Sequence, residues 1–315
     1  MTKKSWKVQS IEARPGERAD GYLSVPGIEL RLPVTLLCGS GEGKTVLITG
    51  GTHGAEFLGV EVAIRLSQEL DPTKLNGNVA IIHPANVPQF FAKIAYVGPY
   101  DGKNLNRVYP GKAEGTVSER IAYTISNELL RFADFYIDLH SGDIHETLTP
   151  YVIHSMLGDE ECNRISAEAS ALWGAKYHVY SNGATGALGW AATQNIPGCL
   201  PEIGEGARWT EDEVQFFKTG AKNVLSYLGV TDEPIVDLGE SHQLPPMDVI
   251  MCENEGLWYP SFRPGDAVRK GEYVGSIRDF FGNVIVELFA PKDGVVLFEC
   301  SSLSIQVGHP VIGIG

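Results

Sequence analysis

The sequence predicts an α/β protein, in which helices cover both faces of a sheet and a small all-β domain follows. Up to about residue 228, short apolar runs alternate with amphipathic stretches, the pattern of strands and helices in turn. From Asp248 onward the helical period disappears, and glycines divide short β-type runs. We therefore divide the 315 residues into an α/β domain at 1–230, a linker at 231–247 and a β domain at 248–315.

The elements of the α/β domain follow from local patterns. Residues 1–44 form a β-rich lead-in, since Pro-Gly and Gly-rich turns separate short apolar runs. The prolines between 87 and 110 predict a long irregular loop, which in a compact domain is usually functional or disordered. Strands are predicted at 46–48, 78–83, 133–139, 151–154, 176–180 and 198–203, and helices at 55–70, 116–131, 159–173, 186–194 and 211–228.

Composition excludes several classes of protein. The 25 basic residues against 39 acidic ones give a net charge of −14, which disfavours binding to nucleic acid. No apolar run is long enough to cross a bilayer, and no apolar segment follows the charged start, so we expect neither a membrane span nor a secretory signal. The five cysteines are scattered and form no CxxC pair. Free thiols and a cytoplasmic location are therefore expected.

The first candidate for chemistry is the pair His53 and Glu56. A buried strand ends at Thr49-Gly50-Gly51, and the two side chains follow it three residues apart, where one helical turn would point them the same way. Imidazole and carboxylate are ligands of catalytic zinc sites, which use three protein ligands and leave one position open. HxxE alone is a weak pattern, for which a helix-start histidine and a surface glutamate are the more usual explanation.

Two further strand ends strengthen the zinc hypothesis. His140 follows the strand at 133–139, in the position that His53 occupies after its own strand, and would complete a His2Glu ligand set. Glu202 ends a short apolar strand at the same rim and could serve as the base that a zinc hydrolase needs. Glu205 competes for that role, but a solvated loop position is the simpler interpretation. His145 is the fallback ligand, whereas His83, although at a strand end, is treated as structural.

The long loop contributes Asn106 and Arg107 in the run NLNR at 104–107. Their amide and guanidinium donors suit a carboxylate or a developing oxyanion. An arginine in a loop is usually a solvated charge, so this interpretation depends on the metal candidates nearby.

Together these motifs resemble the succinylglutamate desuccinylase/aspartoacylase family, zinc-dependent relatives of the zinc carboxypeptidases. HGAE at 53–56, NLNR at 104–107, DLH at 138–140 and PEIGEG at 201–206 occur in the family's order. The resemblance implies a three-layer mixed sheet of zinc-carboxypeptidase type, with His53, Glu56 and His140 as ligands of one Zn²⁺ per chain. It further implies Glu202 as the catalytic carboxylate and Asn106 and Arg107 as substrate-binding residues. Arg107 would bind a substrate carboxylate or polarise the scissile carbonyl.

Among branches, the chain looks closest to bacterial two-domain members that include N-acetyl-diaminobutyrate deacetylases. Relatives often carry an arginine several residues before NLNR, where it can meet an acidic substrate group. Here that neighbourhood is Tyr96-Val97-Gly98-Pro99-Tyr100, so a less acidic N-acyl amino acid fits better than N-acetylaspartate or succinylglutamate.

The β domain is similar to a biotinyl/lipoyl-type barrel-sandwich. Residues 264–275 resemble its hammerhead and 290–296 its closing hairpin. The hairpin tip that carries the modified lysine in true carrier domains is here Asp279-Phe280-Phe281-Gly282-Asn283. Because it contains no lysine, we expect a structural or entrance-shaping role.

The sequence thus predicts a zinc amidohydrolase that removes an acyl group from a small N-acyl amino acid or related amide, and that could form a homo-oligomer. A zinc carboxypeptidase acting on peptides and a non-catalytic protein that binds acyl-amino acids remain the alternatives.

Overall fold

A mixed nine-stranded sheet forms the centre of the computed structural model, which describes residues 3–315. Its strands are β3 (Glu17–Ser24), β4 (Arg31–Cys38), β5 (Gly41–Gly50), β6 (Asn76–Ile82), β7 (Phe135–Leu139), β9 (Tyr151–Ser155), β10 (Tyr177–Ser181), β11 (Gly198–Glu202) and β12 (His242–Leu244). Their order in the sheet is β12-β10-β9-β11-β7-β5-β6-β4-β3. Strands β7, β5 and β6 are parallel neighbours, and β11 pairs parallel with β7 but antiparallel with β9.

Six helices pack on the two faces of this sheet, which confirms the predicted α/β class. They are α1 (Phe57–Glu69), α2 (Val87–Ala92), α3 (Val117–Glu128), α4 (Glu160–Ala171), α5 (Ala187–Thr193) and α6 (Glu211–Tyr227). One buried apolar cluster joins a sheet face to α1, α4 and α6, and a second cluster joins the opposite face to α3 and α5. Because parallel strands are buried on both faces, β5 and β7 are apolar almost throughout their inner lengths.

Polar residues define where several helices begin. Thr116 and Glu119 form a capping box at α3, and Thr210 and Glu213 form another at α6. At α4 the Asp159 side chain accepts a hydrogen bond from the Cys162 N–H. These caps explain why the predicted helix starts lie close to the observed ones.

The long loop after β6 is less irregular than predicted. The prediction of no regular structure at 87–110 is wrong for its first part, since α2 spans Val87–Ala92. Asn86 caps that helix through the Gln89 N–H, and Pro88 lies in the first turn, where its missing N–H costs nothing. Asn106 and Arg107 belong to a single 3₁₀ turn at Leu105–Arg107.

The remaining strands form smaller sheets. The lead-in adds a hairpin of β1 (Trp6–Val8) and β2 (Ile11–Ala13), whose buried residues belong to an apolar cluster of the central sheet. The described chain from 248 to 315 contains strands and no helix: β13 (Asp248–Met251), β14 (Gly256–Pro260), β15 (Ala267–Val268), β16 (Tyr273–Arg278), β17 (Val284–Phe289), β18 (Gly294–Cys300), β19 (Ser304–Ile305) and β20 (Pro310–Ile314). Their buried side chains cluster around Trp258, Ile277 and Ile312.

Two strands tie this β region to the central sheet. The predicted linker contains β12, which pairs parallel with β10 and extends the nine-stranded sheet. Strand β8 (Glu146–Leu148) leaves the α/β part and pairs antiparallel with β18. The β region therefore lies beside the carboxyl ends of β7 and β11. The domain boundaries, the carboxypeptidase type and the barrel-sandwich type remain predictions.

Candidate active site

The predicted site residues lie at the carboxyl ends of three neighbouring strands. His53 follows β5, His140 follows β7 directly, and Glu202 is the last residue of β11. His140 and Glu202 also form an isolated parallel β-bridge. Because parallel strands end at the same edge of the sheet, residues far apart in sequence converge there.

His53, Glu56 and His140 form a compact group with the donor set of a metal site. The Glu56 Oε1 atom lies 2.6 Å from His53 Nδ1, and its Oε2 lies 2.9 Å from His140 Nδ1. The two imidazole rings are 4.9 Å apart in an edge-to-face arrangement. One ligand atom from each residue lies within 4.8 Å of the others. The sequence prediction therefore brought together three residues that are neighbours in space.

Local packing positions the first two of these residues. The turn between β5 and α1 crosses α2 so closely that a Cβ on Gly54 would lie 2.2 Å from the Gln89 carbonyl carbon. Only glycine fits there, which accounts for the glycine between His53 and Glu56. Glu56 immediately precedes the first residue of α1, and only 2% of its surface is exposed.

The far side of each imidazole faces an oxygen atom. His53 Nε2 lies 3.1 Å from the Asn104 Oδ1 atom, and His140 Nε2 lies 3.1 Å from Asp138 Oδ2, the latter pair without hydrogen-bond geometry. An oxygen at Nε2 favours a proton on that nitrogen. The Nδ1 atom of each ring, which contacts Glu56 in this structure, is then the nitrogen that could bind a metal ion, and the donor set of the group fits zinc.

Electrostatics keeps Glu56 ionised in a buried position. Burial alone would raise the pKa of Glu56, but the imidazoles of His140 and His53 outweigh it and hold the value at about 2. Burial also opposes charge on His140, yet the carboxylates of Glu56 and Asp138 raise its pKa well above the usual value. A buried, ionised carboxylate between two imidazoles can bind a cation.

Glu202 stands beside the metal-type group without belonging to it. Its Oε1 lies 3.8 Å from His140 Nδ1, and its buried Oε2 atom has no hydrogen-bond partner among the described residues. Burial raises the pKa of Glu202 well above the usual value, and the carboxylates of Glu56 and Glu146 add to the effect, whereas His140 opposes it. A carboxyl group that is easily protonated and close to a metal group has the properties of a general base.

Arg107 and Asn106 both line the cavity, but they differ in burial and in hydrogen bonding. The Arg107 side chain is exposed and donates to the Asn106 carbonyl at 2.7 Å, and no described carboxylate forms a salt bridge with it. Asn106 is buried, and its Oδ1 accepts a hydrogen bond from the Ala187 N–H at 2.9 Å. Asn106 therefore anchors the start of α5 with its oxygen, and the residue also lines the cavity.

The three residues that the sequence analysis ranked below the main site candidates do not belong to the group of His53, Glu56 and His140. Glu205 is exposed and does not line the cavity. The His145 ring lines the cavity but is not part of the three-residue group. His83 follows β6, where its Nε2 lies 3.1 Å from the Thr35 hydroxyl.

Four residues that contribute to the site were not assigned a role from the sequence. Asp138 is fully buried and touches His140, and Asp143 is also fully buried close to the group. Glu146 lines the cavity. Tyr96 packs edge-to-face on His53 with ring centroids 5.8 Å apart, and its φ of 49° lies in the left-handed region. Such backbone strain in a non-glycine residue was invisible in the sequence.

A cavity of about 1300 Å³ surrounds the group and is shared between the two parts of the chain. The α/β part supplies the metal-type residues, Glu202 and the polar loop residues. The β region supplies an apolar wall that includes Met251 and Phe298, together with polar residues such as His309. The substrate-facing surface is therefore built by both parts.

An open His2Glu group with a free carboxylate beside it, at the strand ends of an α/β sheet, is the arrangement of a metal-dependent hydrolase. Comparison with known proteins shows the family to which the chain belongs. The family described as the Succinylglutamate desuccinylase/Aspartoacylase catalytic domain matches residues 42–228. The chain belongs to this family and is a deacylating hydrolase of amide bonds, as the sequence motifs predicted.

Individual relatives agree with this assignment. The chain is 30% identical over 293 residues to the N-alpha-acetyl-L-2,4-diaminobutyric acid deacetylase of Halomonas elongata, covering 89% of this chain and 84% of that protein. The product-bound ectoine utilization protein EutE of Ruegeria pomeroyi has a TM-score of 0.85 at 27% identity, over 96% of both chains. A succinylglutamate desuccinylase/aspartoacylase from Rhodobacter sphaeroides has a TM-score of 0.83 at 26% identity, again over 96% of both.

Within residues 3–315, no helix combines the length and the apolar character that crossing a membrane requires.

Proposed function

We propose that this protein is a zinc-dependent deacylase that releases the acyl group from a small N-acyl amino acid or related amide. The observation that carries the proposal is the convergence of His53, Glu56 and His140 with Glu202 beside them. The family's hydrolytic activity on amide bonds supports the reaction class.

One Zn²⁺ ion per chain would be held by His53 Nδ1, His140 Nδ1 and the Glu56 carboxylate. Two imidazoles and one carboxylate are a usual ligand set for catalytic zinc, and the fourth position stays open. When bound, zinc supplies Lewis acidity, which lowers the pKa of water and polarises a carbonyl group. Asp138 and Asn104 would keep both imidazoles in the tautomer that binds metal.

Glu202 would act as the proton carrier of the reaction. It would accept a proton from the attacking water and return it to the nitrogen of the departing amine, so that the amide C–N bond breaks with a neutral leaving group. Its lack of a hydrogen-bond partner at Oε2 and its raised pKa support this role.

Arg107 would bind the α-carboxylate of the amino acid. An exposed guanidinium without a carboxylate partner in the described chain is available for a planar, two-point contact with an anion. Asn106 would add its amide nitrogen as a second donor. This contact would orient the substrate with its acyl carbonyl toward the metal.

The Halomonas elongata relative directs the choice of first substrate to Nα-acetyl-2,4-diaminobutyrate. The test is a hydrolysis screen of acetyl, formyl and succinyl amino acids with the zinc-loaded protein, alongside Glu202→Gln. We expect wild-type turnover of at least one of these amides and a loss of about 10²- to 10⁴-fold in kcat for the variant, the usual contribution of a general base. A zinc-replete Glu202→Gln variant that kept full turnover would remove Glu202 from the mechanism.

A further inference from the structure

The cavity extends beyond Glu202 across one face of the central sheet. Strand β11 is antiparallel to β9, so Glu202 lies opposite Tyr151. Two residues back along β11, Leu200 lies opposite Ile153, which in turn pairs with Val179 of β10. All five residues line the cavity. Because side chains two residues apart on a strand point to the same face, these two rows form one continuous floor.

The second row of this floor is apolar and has apolar walls. Leu200 and Val179 are buried, and Ile153 is half-buried. On one side, Leu188 of α5 belongs to the same apolar cluster as Leu200. On the other side, Met247, from the segment between β12 and β13, packs in a cluster with Val179 and Ile153. Leu188 and Met247 also line the cavity, and we call these five residues the apolar section.

A third row, formed by two serines, limits the length of the apolar section. Ser155 and Ser181 are the next residues on this face of β9 and β10, pair with each other and line the cavity. Their hydroxyl oxygens accept hydrogen bonds from the N–H groups of Leu157 at 3.3 Å and Gly183 at 3.2 Å. Each step between rows is about 7 Å, so the serine row lies about 13 Å from the row of Glu202.

The chemistry of the apolar section suits a hydrocarbon chain. An ammonium or carboxylate group placed against Leu200 and Ile153 would lose its water without gaining a polar partner from either side chain. An aliphatic chain in the same place removes apolar surface from water, which is favourable. A row step of about 7 Å matches an extended chain of about five carbon atoms.

The size of the cavity leaves room for such a chain. Its volume of about 1300 Å³ exceeds the range of about 300 to 1000 Å³ that is usual for sites of small ligands. An acetyl group on a short amino acid would therefore leave part of the cavity unfilled. The part next to the row of Glu202 is the apolar section.

We propose that the apolar section is a subsite for an aliphatic chain of the substrate, adjacent to the amide bond that is cleaved. The inference rests on the proposed function, which places that bond beside Glu202, one row away. The chain can belong to the acyl group or to the side chain of the amino acid, because both present the same hydrocarbon surface to the subsite. The subsite favours substrates that are more apolar than an N-acetyl derivative of a short polar amino acid.

The test measures kcat/KM of the zinc-loaded wild type for two series of amides that both begin with N-acetylalanine. The first lengthens the side chain through N-acetyl-2-aminohexanoate to N-acetyl-2-aminooctanoate, and the second lengthens the acyl chain through N-hexanoylalanine to N-octanoylalanine. We expect kcat/KM to rise by about fourfold per methylene in at least one series. The rise should stop at about five carbon atoms, where the chain reaches the serine row. A rise in one series alone assigns the subsite to that half of the substrate.

Ile153→Thr tests the floor directly, because it keeps a β-branched side chain on the strand and introduces a hydroxyl group. The variant should lower the ratio of kcat/KM for the long-chain substrate over N-acetylalanine by about 10-fold. A general defect in folding would lower both values and leave their ratio unchanged. Ile285→Thr is the matched control, since Ile285 of β17 is exposed and lies outside the cavity, and it should keep the wild-type ratio.

No rise of kcat/KM in either series, or an unchanged ratio in Ile153→Thr, would overturn the subsite while leaving the deacylase function intact. If no N-acyl amino acid is hydrolysed, the proposed function fails, and calorimetric binding of the same compounds decides the inference. In that case N-acetyl-2-aminohexanoate or N-hexanoylalanine should bind more tightly than N-acetylalanine, and Ile153→Thr should reduce the difference. Equal binding of the three compounds would refute the inference.

Discussion

Replacing Asp138 with asparagine should weaken metal binding although Asp138 is not a ligand. The hydroxyls of Thr49 and Thr52 donate to Asp138 Oδ1 at 2.7 and 2.8 Å, and Oδ2 lies 3.1 Å from His140 Nε2. In the variant the two hydroxyls select the amide oxygen at the Oδ1 position, so the amide NH₂ group faces His140. A donor then opposes the proton on Nε2, which favours the other tautomer and places the proton on the ligand atom Nδ1.

Loss of such an outer partner costs about 10- to 100-fold in metal affinity, or about 1.4 to 2.7 kcal/mol. The assay is competition for Zn²⁺ with a chromophoric chelator at pH 7.5, with circular dichroism to verify folding. Asp134→Asn is the matched control: Asp134 caps the Thr45 N–H at the opposite end of β7 and should leave zinc affinity unchanged. Equal zinc affinity in Asp138→Asn and wild type would refute the tautomer argument.

Two further predictions follow from the contacts of single residues. Arg107→Ala should raise KM by about 10- to 100-fold, because a charged hydrogen bond to the α-carboxylate is lost, and a variant with wild-type KM would contradict that contact. His154 is fully buried, neither ring nitrogen has a hydrogen-bond partner within residues 3–315, and burial, with a smaller contribution from His178, lowers its pKa from 6.5 to about 4. Between pH 6.5 and 4 the His154 imidazole is therefore protonated in the unfolded chain but neutral in the folded chain. The free energy of unfolding consequently falls by about 2 to 3 kcal/mol as the pH drops from 6.5 to 4. His154→Leu should remove that part of the acid sensitivity in urea unfolding at pH 7 and 4.5, and identical pH dependence in both proteins would count against it.

The central part of the site was predictable because strand ends can be located in the sequence. His53, His140 and Glu202 each follow a short apolar run, and parallel strands bring such ends to one edge. His83 shows the limit of this argument. It also follows a parallel strand, but its ring contacts Thr35 of β4 and does not join the site.

Residues whose position depends on distant pairing could not be predicted. Glu146 faces the cavity because β8 pairs with β18, about 150 residues further along the chain, and no local pattern announces a three-residue strand. Strand β12 was not predicted because it lies in a polar, proline-bearing segment and forms by pairing with the distant strand β10. Helix α2 was missed because a proline in the first turn resembles a loop signal.

The most direct test of the account is the metal content of the purified protein. Elemental analysis after reconstitution and desalting should find about one zinc per chain in wild type, and removal with a chelator should abolish hydrolysis, which added zinc restores. His140→Ala, which deletes a ligand, should contain no stoichiometric zinc and show no activity. Stoichiometric zinc in His140→Ala, or full hydrolysis by the metal-free wild type, would contradict the assignment of the site.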